Sequence, residues 1–266
     1  MNLIIRILIL LLAIQLFSCV GDEKMDETQE VVESIDTLAT EKAAAFEAIN
    51  VQIKADINNP FLYVQRAKLY NQNKEFDLAI KDVNRAIKID SLMPEYYLLK
   101  AELLKKQDKL RESKDALDAC MLIDNNNIPA RLELGYLALV ARDYKQALKY
   151  ADAVLKLDVY NAEAYYLKGM VFEEKQDTAL ALSSYSTAVE QENDYYEAYV
   201  KLGILNLERD LDLAKGYLDN ALRVKPNSLE ALYAFGLCNQ EKGDYNLAIE
   251  TYHKILEIQE YREPYF

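Results

Sequence analysis

This 266-residue chain carries 44 acidic residues against 31 basic ones, and its net charge is −13 with its one histidine neutral. Such a balance argues against nucleic acid, whose phosphates need neutralising cations, and fits good solvation or a basic partner. A lone histidine, His253, leaves no metal-ligand cluster and no Ser–His pairing, and none of the seven glycines builds a Gly-rich phosphate loop. The expectation is a chain that is not an enzyme and takes neither metal nor cofactor.

The first 19 residues form a separate object. A short basic start, Met1 to Arg6, precedes an apolar run from Ile7 to Phe17 that Gln15 interrupts. The run is too short for a comfortable transmembrane helix, which needs about 20 apolar residues, and it reads as an export signal. Its ending, Leu16-Phe17-Ser18-Cys19, resembles the lipobox of bacterial lipoproteins. That resemblance implies a signal peptide over 1–18, cleavage after Ser18, and a lipid such as palmitate on Cys19. A secretory signal with an incidental Cys stays open beside it. Residues 19–40 then hold seven carboxylates, Asp22, Glu23, Asp26, Glu27, Glu30, Glu33 and Asp36, against Lys24 and no aromatic. This acidic tether cannot bury a core, and as a flexible chain it spans roughly 25 Å. Residues 41–59 follow as a capping helix, a half-repeat whose Ala45, Phe46, Ile49 and Ile53 fall at helical spacing.

From residue 60 the chain is periodic. Ala67, Ala101, Gly135, Gly169, Gly203 and Gly236 are separated by 34, 34, 34, 34 and 33 residues. Ala79, Ser113, Ala147, Ala181, Ala214 and Ala248 trail them by 12 residues, or by 11 in the fifth set, so both series record the same single-residue deletion. A period near 34 with apolar residues at helical spacing predicts an all-α solenoid of helix-turn-helix units. The six units are 60–93, 94–127, 128–161, 162–195, 196–228 and 229–262, with 263–266 left as a tail. When the first small residue is numbered slot 8, slot 4 holds Tyr63, Tyr97, Arg131, Tyr165, Tyr199 and Leu232, and slot 27 holds Ala86, Cys120, Val154, Ala188, Ala221 and Ile255. Turns fall at Asn73-Lys74, Gln107-Asp108, Arg142-Asp143, Gln176-Asp177 and Lys242-Gly243-Asp244. Slots 8 and 20 should face each other where the first helix of a unit, A, crosses the second, B, since a large side chain there would overpack by roughly 1–3 kcal/mol. Cys120 and Cys238 lie four units apart and cannot pair within one chain.

The stretches Ala162-Glu163-Ala164-Tyr165-Tyr166-Leu167-Lys168-Gly169 and Gly243-Asp244-Tyr245-Asn246-Leu247-Ala248-Ile249 resemble the tetratricopeptide repeat. Arg131 in an aromatic slot departs from its pattern, as does the rarity of Pro at slot 32, where only Pro226 stands. The resemblance implies a concave groove lined by helix A slots 2, 5, 9, 12 and 13, which binds a protein or peptide. In units three to six these slots include Tyr136, Leu139, Tyr166, Met170, Glu173, Glu174, Ile204, Leu207, Glu208, Tyr233, Leu237 and Glu241. Apolar anchors with carboxylates around them suit a basic, apolar segment. The Lys and Asn that clamp a C-terminal carboxylate in chaperone-binding members of the family are absent from slots 5 and 9.

The expected protein is therefore a bacterial lipoprotein of the cell envelope, placed at the outer membrane with either face open. It would act as a scaffold or adaptor. The alternative is a structural subunit that works through its ends and convex face. At the far end no solvating helix follows unit six, which leaves Leu237, Ile255 and Ile258 as candidates for exposure. Either the aromatic tail folds over them or a second copy covers them in a homodimer through the C-terminal ends.

Overall fold

The computed structural model describes residues 42–260 together with Thr40. The leader over 1–18, Cys19, the rest of the tether and the tail lie outside the described residues. Helix α1 covers 42–55. Six helix pairs follow: α2 (Pro60–Gln72) with α3 (Phe76–Ile89), α4 (Pro94–Lys106) with α5 (Leu110–Ile123), and α6 (Ile128–Val140) with α7 (Tyr144–Leu155). After these come α8 (Ala162–Glu174) with α9 (Thr178–Gln191), α10 (Tyr196–Asn206) with α11 (Leu211–Val224), and α12 (Leu229–Glu241) with α13 (Tyr245–Glu260). The architecture is all-α, with no strand among the described residues. Each helix packs on its sequence neighbours, and α6 also touches α8 as α10 touches α12, so the first helices of the pairs line one side of the stack.

Local chemistry starts and stops these helices. The side chains of Asn59, Asn127, Asn161 and Ser228 accept backbone N–H bonds at the starts of α2, α6, α8 and α12. Asp143, Asp177 and Asp210 do the same for α7, α9 and α11. Each such cap is worth about 1 kcal/mol because it satisfies an otherwise orphaned donor. The turn inside each pair needs one residue in the left-handed region. Lys74, Asp108, Arg142, Gln176 and Gly243 fill it, with φ of 61°, 62°, 58°, 60° and 82°. They occupy the same slot in units one to four and six. Unit five has no such residue, so its single-residue deletion falls in this turn, and α10 is only 11 residues long.

The small residues at slot 8 have a sharper cause than the facing of slots 8 and 20. Those two slots do meet, since Ser113 donates its hydroxyl to the Ala101 carbonyl at 2.9 Å. The glycines, however, answer to a bulkier neighbour one turn further along helix B. A Cβ on Gly169 would lie 2.4 Å from the Tyr185 ring, one on Gly203 2.5 Å from Leu218, and one on Gly236 2.5 Å from Tyr252. In unit three the corresponding helix B residue is Ala151, and Leu167 of the next unit fills the space instead, 2.5 Å from a Cβ on Gly135. Units one and two carry Val83 and Leu117 at that slot and accept Ala67 and Ala101.

The junctions between units show why Arg131 can replace an aromatic residue. Six carbonyls, each three residues before its unit begins, receive a side-chain donor. Tyr63, Tyr97 and Tyr165 donate their hydroxyls to Ile57, Ser91 and Val159 at 3.0, 3.2 and 3.2 Å. Arg131 donates to the equivalent carbonyl of Asn125. In units five and six a helix B side chain is the donor: Arg223 reaches Asn193 at 3.2 Å and Lys254 reaches Pro226 at 3.1 Å. A carbonyl freed at a helix end has to find some partner, and the donor's identity is secondary.

Helix α1 closes the first end. Ile49 and Ile53 are buried against Leu62, Tyr63, Val64 and Ala67, and the rings of Phe46 and Tyr70 lie 4.9 Å apart. Ala45 stays exposed. Arg66 makes two bonds to the buried carboxylate of Asp82, at 2.6 and 2.7 Å, and a third to Asn50 of α1 at 2.7 Å. Breaking such a pair by removing one partner typically costs about 3–5 kcal/mol, because the other charge stays buried.

At the last pair the described apolar residues divide into two groups. Leu237, Ile255 and Ile258 are half-buried, whereas Tyr245, Ile249 and Leu256 are 64%, 55% and 54% exposed. The difference is one of helix phase: the exposed three lie on the stripe that, in the first five pairs, meets the next unit. The left-handed turns carry a testable consequence. Gln176→Gly should stabilise the protein by about 0.5–1 kcal/mol, the relief of a left-handed Cβ less the added backbone entropy. A chemical denaturation midpoint shifted upward at unchanged slope is the expected readout.

Candidate functional site

The side lined by the first helices of the pairs is where the sequence places a groove, and its two halves differ. In units one and two its slots 9, 12 and 13 are polar and largely self-satisfied, although Phe61 at slot 2 is 58% exposed. Lys106 binds both Glu102 at 2.6 Å and Asn71 at 3.0 Å, and Lys105 reaches Glu133 at 2.6 Å. From unit three onward the same slots become apolar. Tyr136, Tyr166, Met170, Leu207 and Leu237 are half-buried, Ile204 is 38% exposed, and Tyr233 is 57% exposed. Glu174, Glu208 and Glu241 stand exposed along one edge at the same slot of successive units, in no salt bridge among the described residues.

Two of the expected groove residues do other work. Leu139 is buried among Ala147, Leu167 and Val171 and supports the wall from behind. Glu173 has both oxygens engaged: Lys201 donates to one at 3.0 Å and the Tyr185 hydroxyl to the other. It ties unit four to unit five and is not a loose charge for a ligand. The distinction follows helix geometry, since slot 12 looks along the stack toward the next unit. Slot 5 behaves similarly when its residue is compact, and Leu132 and Val200 are buried there. A tyrosine in that slot reaches past the crossing, as Tyr166 and Tyr233 do.

Two further residues join the surface, Tyr195 from outside the expected lining and Glu163 from its slot 2. Tyr195, the last residue before α10, brings its ring to 5.2 Å from Tyr166, which in turn lies 5.4 Å from Tyr185. Glu163 places its carboxylate at the Tyr136 hydroxyl. Tyr195 was invisible because slot 34 carries no periodic aromatic. Glu163 was legible, since slot 2 is also Glu in Glu197 and Glu230.

Electrostatics fit a desolvated aromatic floor under a negative field. Burial pushes the Tyr166 hydroxyl up to about 12, with Glu197, Glu173 and Glu230 adding to it. Burial also raises Tyr136, Tyr185 and Tyr195 well above the ordinary tyrosine range, reinforced by neighbouring carboxylates. All four therefore stay neutral and can donate across the physiological range. Burial lifts Cys120 to about 11 and raises Cys238, so both are inert core thiols rather than nucleophiles. No group of three or more potential metal ligands occurs among the described residues, and none of their helices is long and apolar enough to cross a membrane.

Two family models described as tetratricopeptide repeat match the chain, one over residues 132–197 and 205–263 and the other over 62–91 and 94–127. The mitochondrial import receptor subunit TOM70 of Rattus norvegicus is 23% identical over 227 residues, which cover 82% of this chain and 36% of that protein. The chain thus spans little more than a third of that relative's length. Among solved structures, the APC/C hetero-tetramer Cut9–Hcn1 matches with a TM-score of 0.68 at 17% identity, covering 83% of this chain and 44% of that one. Pseudomonas aeruginosa PilF matches with a TM-score of 0.64 at 15% identity, covering 76% and 96%. At these identities the structural neighbours share the fold. The repeat models account for most of the residues, and the chain belongs to the tetratricopeptide repeat family.

Proposed function

We propose that this protein is a lipid-anchored scaffold of the bacterial cell envelope that holds a protein or peptide on the inner face of units three to six. One observation carries the binding half of this reading. Tyr136, Tyr166, Met170, Ile204, Leu207, Tyr233 and Leu237 form an incompletely covered apolar surface edged by the free carboxylates of Glu174, Glu208 and Glu241. Apolar area of this kind on a water-facing surface marks a partner site, and its acidic edge favours a segment that is both apolar and basic. The relatives are in keeping with such a role: one is an import receptor subunit and one structural neighbour is part of a hetero-tetramer. The anchoring half rests on Leu16-Phe17-Ser18-Cys19 after a basic and apolar leader. It sets the expected location at the outer membrane.

A second reading draws on the exposed stripe of the last pair. Tyr245, Ile249 and Leu256 lie at helical spacing on α13 and are all more than half exposed. A structural subunit would use this stripe to pair with a second copy, since a two-fold pairing buries the same patch on both partners.

Three measurements separate these readings. Replacing Ile204 and Tyr233 with Ala should weaken the partner complex by about 2 kcal/mol or more while the melt holds, because anchors in the middle of an interface dominate its energy. Equal recovery of every partner from detergent-solubilised envelope by this folded double variant would reject the groove. For the anchor, Cys19→Ser should release the protein from membranes or stall its processing, and should abolish incorporation of labelled palmitate; normal cleavage with unchanged membrane association would reject lipidation. Sedimentation of the protein with Ile249→Glu and Leu256→Glu should show dissociation only if the end-to-end pairing holds.

A further inference from the structure

Where units three, four and five meet, the inner face is both aromatic and acidic. Tyr185 is fully buried beneath it, with its hydroxyl fixed on Glu173. Above that floor Tyr166 packs against Tyr195 at 5.2 Å, and Tyr136 adjoins them with its hydroxyl on Glu163. All three upper tyrosines are half-buried. Met170 packs in the same cluster and offers a pliable apolar wall.

The charges around these rings do not cancel. Lys201 is engaged by Glu173, Lys105 by Glu133, and Lys225 by Glu197 while it also covers the Tyr196 ring at 3.9 Å. Glu163 and Glu192 remain in no salt bridge among the described residues, and both act on Tyr195. Partial burial holds the Glu163 carboxyl above the usual carboxylate range. Glu133 and Glu192 add to this, against the Tyr136 hydrogen bond and Lys105. A positive group placed here would relieve that repulsion.

We propose that Tyr136, Tyr166 and Tyr195, with the carboxylates of Glu163 and Glu192, form a subsite for one cationic side chain, Arg or Lys, of the segment bound along the inner face. The rings attract a cation through their negative faces, the carboxylates neutralise it, and Met170 covers its aliphatic stem. This rests on the groove reading and names the chemistry that sets its specificity. It also fixes the register of the bound segment, since its one cation would have to sit at the junction of units three to five.

The test uses the full chain in detergent micelles and short random peptides displayed on phage. The expected selection returns peptides with Arg or Lys between apolar residues. Replacing that residue by citrulline or acetyl-lysine should weaken binding by about tenfold, the scale of a partly desolvated cation–π contact with a charge partner. Tyr195→Leu and Glu163→Gln should each weaken the cationic peptide and leave its neutral counterpart unchanged. Glu163→Gln removes a charge that its surroundings already disfavour, so the fold should tolerate it. If either variant fails to fold, the citrulline comparison on the unaltered protein decides. Peptides that lose binding on Ile204→Asp but bind equally with citrulline would overturn the cation subsite and keep the groove. A selection that returns no peptide sensitive to Ile204→Asp would overturn both.

Discussion

The structure depends on how closely the two helices of a pair approach. Where Tyr185, Leu218 and Tyr252 press on Gly169, Gly203 and Gly236, a single methyl group would have to displace a ring or an isobutyl group held in the core. Interiors packed to this density tolerate little added volume. The tight crossing sets the angle of each pair, and the pair sets where the next first helix lies. The face that a ligand would meet thus inherits its spacing from glycines that never touch it. In unit three the same space is filled from the next pair, by Leu167, so this crossing also joins units three and four. That junction lies beneath the densest part of the aromatic surface.

Much of this was legible in the amino-acid order, because repetition averages away the ambiguity of any one helix. Two series of small residues, each recording the same deletion, establish the number of pairs and the all-α architecture. What the order does not display is which neighbour a small residue answers to. Gly169 reads as the partner of Ala181, yet its contact is Tyr185 four residues further on. The deletion in unit five could be located only to the turn region. The missing left-handed residue identifies it. Arg131 looks like a departure from an aromatic slot, and only the shared carbonyl acceptor shows it to be a substitute donor.

The candidate site was half legible for a related reason. Slot rules say which residues point to the inner side, but side-chain length decides whether they arrive there. Leu132, Leu139 and Val200 stop at the interface between successive first helices, while Tyr166 and Tyr233 extend beyond it. Charge has the same ambiguity. Glu173 and Glu174 are adjacent in sequence and acidic, yet one joins Tyr185 and Lys201 in a link between units and the other faces water. Composition counts both as surface charge.

The lysines explain why an acidic solenoid stays folded without exposing a neutral surface. Lys105, Lys201 and Lys242 each cross from one pair to another to meet Glu133, Glu173 and Asp212, and Lys225 meets Glu197 across the fifth pair. Pairs this exposed contribute little energy singly, but each removes a cation from the surface at a junction. The carboxylates outside these links then dominate the field over units three to six. Units one and two differ, since Lys105 and Lys106 sit on their inner face and neutralise it. The molecule is therefore polar along its axis in two senses. Its first end is sealed by α1 through Arg66 and Asn50, and its inner face is most apolar and negative toward the other end. A segment entering from solution would be drawn by that gradient to the later units, so the repeat array would select the position of its partner as well as its chemistry.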